Sequence, residues 1–235
     1  MLNRIGNEQY LHDADPSVAF VWCVPLACGP GAEQQFSELL DPIEAARAAR
    51  FATPDERRRY VVSHGAVRLI LSAFIGRDAR DIQIAVGTWG KPHVAGPGPN
   101  FSLSHDGDVA LVAVTKDAAI GVDVERVRPE LRLDTFVRPL MQMQDVVRID
   151  ALKTADRTRA WFAAWTRLEA VAKAYGKGLG DDIAADAGLS ARFRIWNLDV
   201  DDMRVGAVAT TASVAHVVYE ELPSAPSALA RLGWA

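Results

Sequence analysis

An apolar, β-branched run of seven residues, Val18-Ala-Phe-Val-Trp-Cys-Val24, recurs a hundred positions later as Ala118-Ala-Ile-Gly-Val-Asp-Val124. A short run of this kind closed by a turn residue, here Pro25, suits a strand buried in a sheet. Each run is followed, after thirty to forty residues, by a long helical pattern with the same offset. Asp55 to Ile75 carries Arg57 and Arg59 and stops at Gly76; Asp156 to Tyr175 carries Arg157 and Arg159 and stops at Gly176. Glycine just past the last periodic residue ends a helix. Strand patterns return after each helix, at Asp81 to Val86, Phe101 to Ser104 and Val109 to Thr115, then at Phe193 to Leu198, Val205 to Thr210 and Ser213 to Tyr219. The expectation is an α+β fold built as a pseudo-twofold duplication of two similar α/β subdomains, residues 1–117 and 118–235, with a ligand cleft at their interface. Chance similarity of two amphipathic helices is the alternative.

With 49% of its 235 residues apolar, the chain can bury a core, which excludes disordered and fibrous classes. The formal net charge is −4 and the basic residues are dispersed, so a nucleic-acid partner is not expected. Met1 to Pro16 mixes Arg4, Glu8, His12, Asp13 and Asp15 with no apolar block, and no window approaches a membrane span. A cytoplasmic protein without a membrane partner is the expectation. Cys23 and Cys28 have no histidine close in sequence and read as half-buried thiols rather than zinc ligands.

In Ile120-Gly-Val-Asp-Val-Glu125 the period-two alternation puts Asp123 and Glu125 on one strand face. Two like charges there call for a cation, and hard oxygen ligands suit Mg²⁺; a wet edge strand is the other reading. Cys23 stands at the corresponding position of the earlier run, so the acids occur once. Trp161, Trp165, Glu169 and Lys173 follow at steps of four and form one helix stripe. Glu169 and Lys173 make an ordinary stabilising pair, or else the tryptophans pack on the sheet and hold Glu169 at the rim of a cleft. Trp89-Gly-Lys-Pro92 and Asn100-Phe-Ser-Leu-Ser-His-Asp106 are turn and strand-end segments whose Lys91, Ser104 and His105 can donate to phosphate oxygens. Each alone is an ordinary turn or cap. The Ser-His-Asp string is no hydrolase triad, because triad members meet in space and not as sequence neighbours. Gly176, Gly178 and Gly180 follow a helix, as a stop and loop, instead of opening one as a dinucleotide fingerprint does.

Taken in order, Gly-Lys-Pro at 90–92, Phe-Ser-Leu-Ser-His at 101–105, Gly-Val-Asp-Val-Glu at 121–125 and Trp-Thr-Arg-Leu-Glu-Ala-Val-Ala-Lys at 165–173 resemble the 4'-phosphopantetheinyl transferase superfamily, surfactin-synthetase type, over about Ala46 to Leu179. The resemblance implies a two-subdomain fold that binds coenzyme A in its cleft. It also implies Mg²⁺-dependent transfer of 4'-phosphopantetheine to a serine of an apo acyl or peptidyl carrier protein, with 3',5'-ADP leaving. Matched residue by residue, it implies Asp123, Glu125 and Glu169 as catalytic Mg²⁺ ligands; Glu169, the one acid of the three from another element and so able to face an incoming partner, is the expected base. Lys91, Ser104, His105 and Lys173 would contact the coenzyme, Arg59 would hold its nucleotide phosphate, and Arg47 and Arg50 would assist. Two departures stand out. Leu168 replaces the family's usual lysine, removing a cation that Arg167, about a hundred degrees round the helix, does not restore. Asp106 replaces a second serine and is expected to face solvent. A non-catalytic coenzyme A or nucleotide-binding regulator with a degenerate site is the alternative that Leu168 favours, and a nucleotide pyrophosphatase a third. The internal repeat makes a monomer the expected state.

Overall fold

A computed structural model describes residues 14–131, 133–177 and 192–222. The readings made on the first thirteen residues and on Gly178 and Gly180 lie outside the described residues. The chain begins with β1 (Val18–Pro25), two short helices α1 (Pro30–Ser37) and α2 (Pro42–Ala48), and the 22-residue α3 (Pro54–Ile75). All three helices begin at proline, whose missing N–H has no partner to lose there. Capping boxes Asp41/Glu44 and Thr53/Glu56 fix the starts of α2 and α3, and α3 ends where Gly76 turns left-handed with φ 68°. The guanidinium of Arg68, wholly buried in α3, donates to Asp41 and Glu44 and to the carbonyls of Ala79 and Ile82, so it pins α2 in place.

Next come β2 (Ile84–Val86), β3 (Pro92–Val94), β4 (Asn100–Asp106), β5 (Val109–Thr115) and β6 (Ile120–Arg126). Two short helices, α4 (Asp134–Val137) and α5 (Met143–Asp150), precede the 22-residue α6 (Thr154–Tyr175), which ends on left-handed Gly176. Strands β7 (Phe193–Asp201), β8 (Arg204–Thr211) and β9 (His216–Glu221) follow. One sheet has the order β4-β5-β1-β9 and another β6-β8-β7. In both, the strand before the long helix pairs antiparallel with the second strand of the hairpin after it, β1 with β5 and β6 with β8. The last strand, β9, lies parallel to β1 and so extends the sheet of the earlier residues.

Alternation decides which side chains meet. Phe20, Trp22 and Val24 of β1 face α3 and pack with Ile70, Leu71 and Phe74. Ala19 and Val21 point the other way and meet Ile120, Val122, Val124 and Val208 of the second sheet. The far side of that sheet carries α6, where Ala170 and Ala174 meet Ala207 and Ala209. The layers therefore run α3, sheet, sheet, α6. At the border between the sheets, Val122 N–H donates to Ser102 Oγ at 3.1 Å.

Four local expectations change. Asp81 to Val86 is not one strand: a 3₁₀ turn covers Ala79–Asp81, set by Asp78 accepting from Arg80 N–H at 2.9 Å, and only Ile84–Val86 is extended, paired with β3. Ser213 to Tyr219 shifts to His216–Glu221, because Val214 N–H closes a turn onto Thr211 O at 3.2 Å. Trp161 and Trp165 do not pack on the sheet. They join Val137, Val146 and Ile149, because α4 and α5 form an apolar cover over that stripe while the sheet-facing stripe is alanine. Finally, Cys23 is not placed as Asp123 is. Cys23 packs towards the second sheet and Asp123 faces α6, a one-residue slip that inverts the faces. Among the described residues no helix is long and apolar enough to cross a membrane.

Candidate active site

Close packing of α6 on β6 makes the site. A Cβ on Gly121 would collide with the Ala170 carbonyl oxygen and the Ala174 nitrogen and lie 2.9 Å from the Lys173 carbonyl carbon, so the helix backbone rests directly on the strand. Two residues along β6 on the same face, Asp123 is 4% exposed. Its Oδ1 accepts from Ser104 Oγ of β4 at 2.8 Å and from Lys173 Nζ of α6 at 2.7 Å, and Lys173 Nζ also donates to Ser104 Oγ at 3.0 Å. Its Oδ2 is buried and has no partner among the described residues. Burial pushes the Asp123 carboxyl above the usual carboxylate range, with Lys173 and Ser104 pulling the other way. A buried carboxylate oxygen without a partner is expensive, on the order of 1–3 kcal/mol or more, and therefore invites a donor or a cation.

Glu125 follows on the same face, where Arg128 Nη2 donates to its Oε2 at 2.7 Å. Glu169 lies one helical turn before Lys173 on α6. Burial raises the pKa of both; the charges of Asp123 and Asp106 add to this at Glu125, and those of Asp123 and Glu125 at Glu169. The three acids are thus close enough to disfavour one another's charge. Among the described residues, no three carboxylate, imidazole or thiol groups come together tightly enough to cage a metal unaided. Lys173 holds Asp123 and Arg128 holds Glu125.

His105, next to Ser104 on β4, is exposed, yet burial of part of the ring lowers its pKa, and Lys173 and Arg59 lower it further. Arg59 comes from α3 and its Nε donates to Asp108 at 3.1 Å. Lys91, in the turn before β3, reaches the start of β6, where its Nζ donates to Ile120 O at 2.9 Å, and burial brings its pKa down to about 8. The Arg47 guanidinium lies 5.4 Å over the Tyr60 ring, which stacks on His64 at 3.8 Å. Burial lowers the His64 pKa to about 4, and the charges of Arg47 and His105 contribute. Arg50 is exposed beyond the end of α2.

The substituted positions behave differently from expectation. Leu168 packs on the cluster of Val137, Val146, Ile149 and Trp161, and Arg167 reaches Asn197 of β7 at 3.3 Å. Neither faces the acids, because the stripe that does so is Glu169 and Lys173. Asp106 does not simply face solvent: its Oδ2 accepts from Arg126 N–H at 2.6 Å and from Arg128 Nη2 at 3.5 Å. Arg128, Asp106 and His64 were not read from sequence as parts of a site. Arg128 is one of 26 basic residues in the chain and follows a strand like any solvated cation.

Carboxylates and cations interleaved at the border of two sheets make up a centre suited to phosphate esters. The comparisons agree with that class. Residues 119–223 match the family model described as the 4'-phosphopantetheinyl transferase superfamily. The chain is 31% identical over 163 residues to 4'-phosphopantetheinyl transferase HetI of Nostoc sp., spanning 68% of this chain and 69% of that protein. It is 27% identical over 176 residues to a phosphopantetheinyl transferase of Thraustochytrium sp., spanning 68% and 61%. To AcpT of Salmonella typhimurium, also named a 4'-phosphopantetheinyl transferase, it is 22% identical over 130 residues, spanning 55% and 68%. The chain belongs to the 4'-phosphopantetheinyl transferase superfamily and is an enzyme of that class.

Proposed function

We propose that this chain moves 4'-phosphopantetheine from coenzyme A to a serine of an acyl or peptidyl carrier protein in a Mg²⁺-dependent reaction that releases 3',5'-ADP. The observation that most supports the reading is the divided environment of Asp123, with Oδ1 fixed by Ser104 and Lys173 and Oδ2 buried and unpartnered among the described residues. Asp123, Glu125 and Glu169 would hold the metal, which when bound neutralises charge on the pyrophosphate. Ser104 and Lys173 keep Asp123 in one rotamer. Glu169, its pKa raised by burial and by its acidic neighbours, takes the proton of the carrier serine. The serine oxygen attacks the phosphorus attached to the pantetheine arm, the bond to the nucleotide phosphate breaks, and both electrons leave with 3',5'-ADP. Lys173, His105 and Arg59 offset the charge that builds there, and the desolvated Lys91 supplies a further donor. Arg47 and Arg50 are assigned to the nucleotide end. We read the repeated sheet order as support for a pseudo-twofold duplication with subdomains 1–117 and 118–235.

Incubation with coenzyme A, Mg²⁺ and an apo carrier protein, followed by intact mass, should show the phosphopantetheine increment on serine. Asp123→Ala and Glu169→Ala should each lower the rate a hundredfold or more, on the order of the loss of an electrostatic stabiliser, while circular dichroism stays native. A carrier left unmodified by the wild type overturns the reading, and free phosphopantetheine released without carrier favours a pyrophosphatase. Lys91→Ala should raise the coenzyme A concentration needed for half-maximal rate more than it lowers the maximal rate.

A further inference from the structure

Arg128 stands between two carboxylates from different segments. Its Nη2 donates to Glu125 Oε2 at 2.7 Å and reaches Asp106 Oδ2 at 3.5 Å, across the border between β6 and the end of β4. Asp106 is itself fixed, because its Oδ2 accepts from Arg126 N–H at 2.6 Å. A guanidinium fork can serve two carboxylates with separate nitrogens. Here one nitrogen serves both, and Nε is buried without an acceptor among the described residues. The short bond to Glu125 and the long one to Asp106 therefore describe a cation resting on one acid with a second acid within reach. While Arg128 holds Oε2, that oxygen is committed to a monovalent cation.

We propose that Asp106 is a positioning residue that takes over Arg128 when Glu125 turns to a divalent cation. This rests on the reading of Glu125 as a metal ligand. Asp106 lets the carboxylate change partner without leaving a part-buried guanidinium unpaired. Without the charge of Asp106, Arg128 stays on Glu125 and competes for it.

The test is a double-mutant cycle on the full chain, titrated with Mn²⁺ alone and read by the electron paramagnetic resonance of the free ion. Asp106→Asn keeps an acceptor for Arg126 N–H and removes the charge. It should weaken Mn²⁺ binding roughly two- to fivefold, the range for a part-exposed ion pair, and should have no effect in an Arg128→Gln background. In transfer assays it should raise the Mg²⁺ concentration for half-maximal rate by the same factor and leave the coenzyme A requirement unchanged. Equal weakening in both backgrounds would show that Asp106 acts only through its own charge on the metal and would overturn the proposal, as would no weakening in either. Glu125→Gln separates the two levels of the argument. Unchanged Mn²⁺ binding in that variant removes the ligand reading itself, whereas lost binding there, with additive effects of Asp106→Asn and Arg128→Gln, removes only the role of Asp106.

Discussion

The two long helices, α3 and α6, are both 22 residues long, both end on a left-handed glycine and both cover a strand of their own sheet, yet one seals a core and the other frames a site. Under α3 the strand presents Phe20, Trp22 and Val24, and Phe74 of the helix meets both rings edge-on, at 5.7 Å from Phe20 and 6.1 Å from Trp22. Under α6 the strand presents Gly121, Asp123 and Glu125, and the helix residue a hundred after Phe74 is Ala174. Bulk keeps the first pair apart and fills the gap with apolar surface. Its absence brings the second pair into backbone contact, and that contact carries Glu169 and Lys173 to the level of Asp123. Side-chain volume at two positions thus decides which unit has room for chemistry.

The comparison predicts its own largest break. Gly121→Val places branched carbons inside the backbone of α6, so the helix must lift; transfer should be lost, with a clear fall in denaturation midpoint, because strain against backbone is not relieved by a rotamer change. Near-normal transfer would show that the helix contact does not set the site. The mirror change, Phe74→Ala, should cost about 3–5 kcal/mol in chemical denaturation through the cavity it leaves, while the transfer rate of the folded enzyme stays unchanged. If Phe74→Ala moved that rate, the contrast between the two helices would be wrong.

Acid should distinguish the units as well. His64 of α3 has its pKa lowered by burial to about 4, below the value of 6.5 expected when unfolded. The unfolded chain therefore binds the proton first: the stability due to neutral His64 is complete above pH 6.5, is lost as pH falls towards 4, and amounts to about 3 kcal/mol at most. The corresponding residue of α6 is Ala164, and the titrating groups under that helix, Asp123 and Glu169, are shifted upwards. Their protonated forms fit the fold better, so their contribution is greatest in acid and is lost as pH rises through the raised values. Urea midpoints from pH 7 to pH 4 should fall less for His64→Gln than for the wild type. Parallel curves would mean that His64 is not held neutral by the fold.

Much of this could be read before any coordinates, and the reasons for the rest are physical. Period and glycine stops placed β1, β6, α3 and α6, because those signals are local. Alternation put Asp123 and Glu125 on one face and spacing put Glu169 and Lys173 on one stripe, again within single elements. What failed needed a partner from elsewhere in the chain. Spacing alone directs the tryptophans of α6 to the sheet, because nothing near them announces that Val137, Val146 and Ile149 will cover them. Local sequence alone leaves Asp106 to solvent, because its partners, Arg126 N–H and Arg128, lie about twenty residues on. The two long helices end a hundred residues apart, at Ile75 and Tyr175, while the faces of β1 and β6 differ by one residue at that offset, since an offset counts residues and a sheet face depends on their parity.

That slip carries the smallest prediction and the most direct check on it. Cys23 packs at the edge of the cluster between the sheets, as does Tyr219 of β9, whose phenol burial holds well above its ordinary pKa. Cys23→Ala removes a sulfur from that interface, a loss of about 1 kcal/mol in denaturant stability. The transfer rate should stay at its wild-type value, because the side chain faces the second sheet and not α3. A change in rate without a change in stability would mean that the parity of β1 does not keep Cys23 away from the reacting groups.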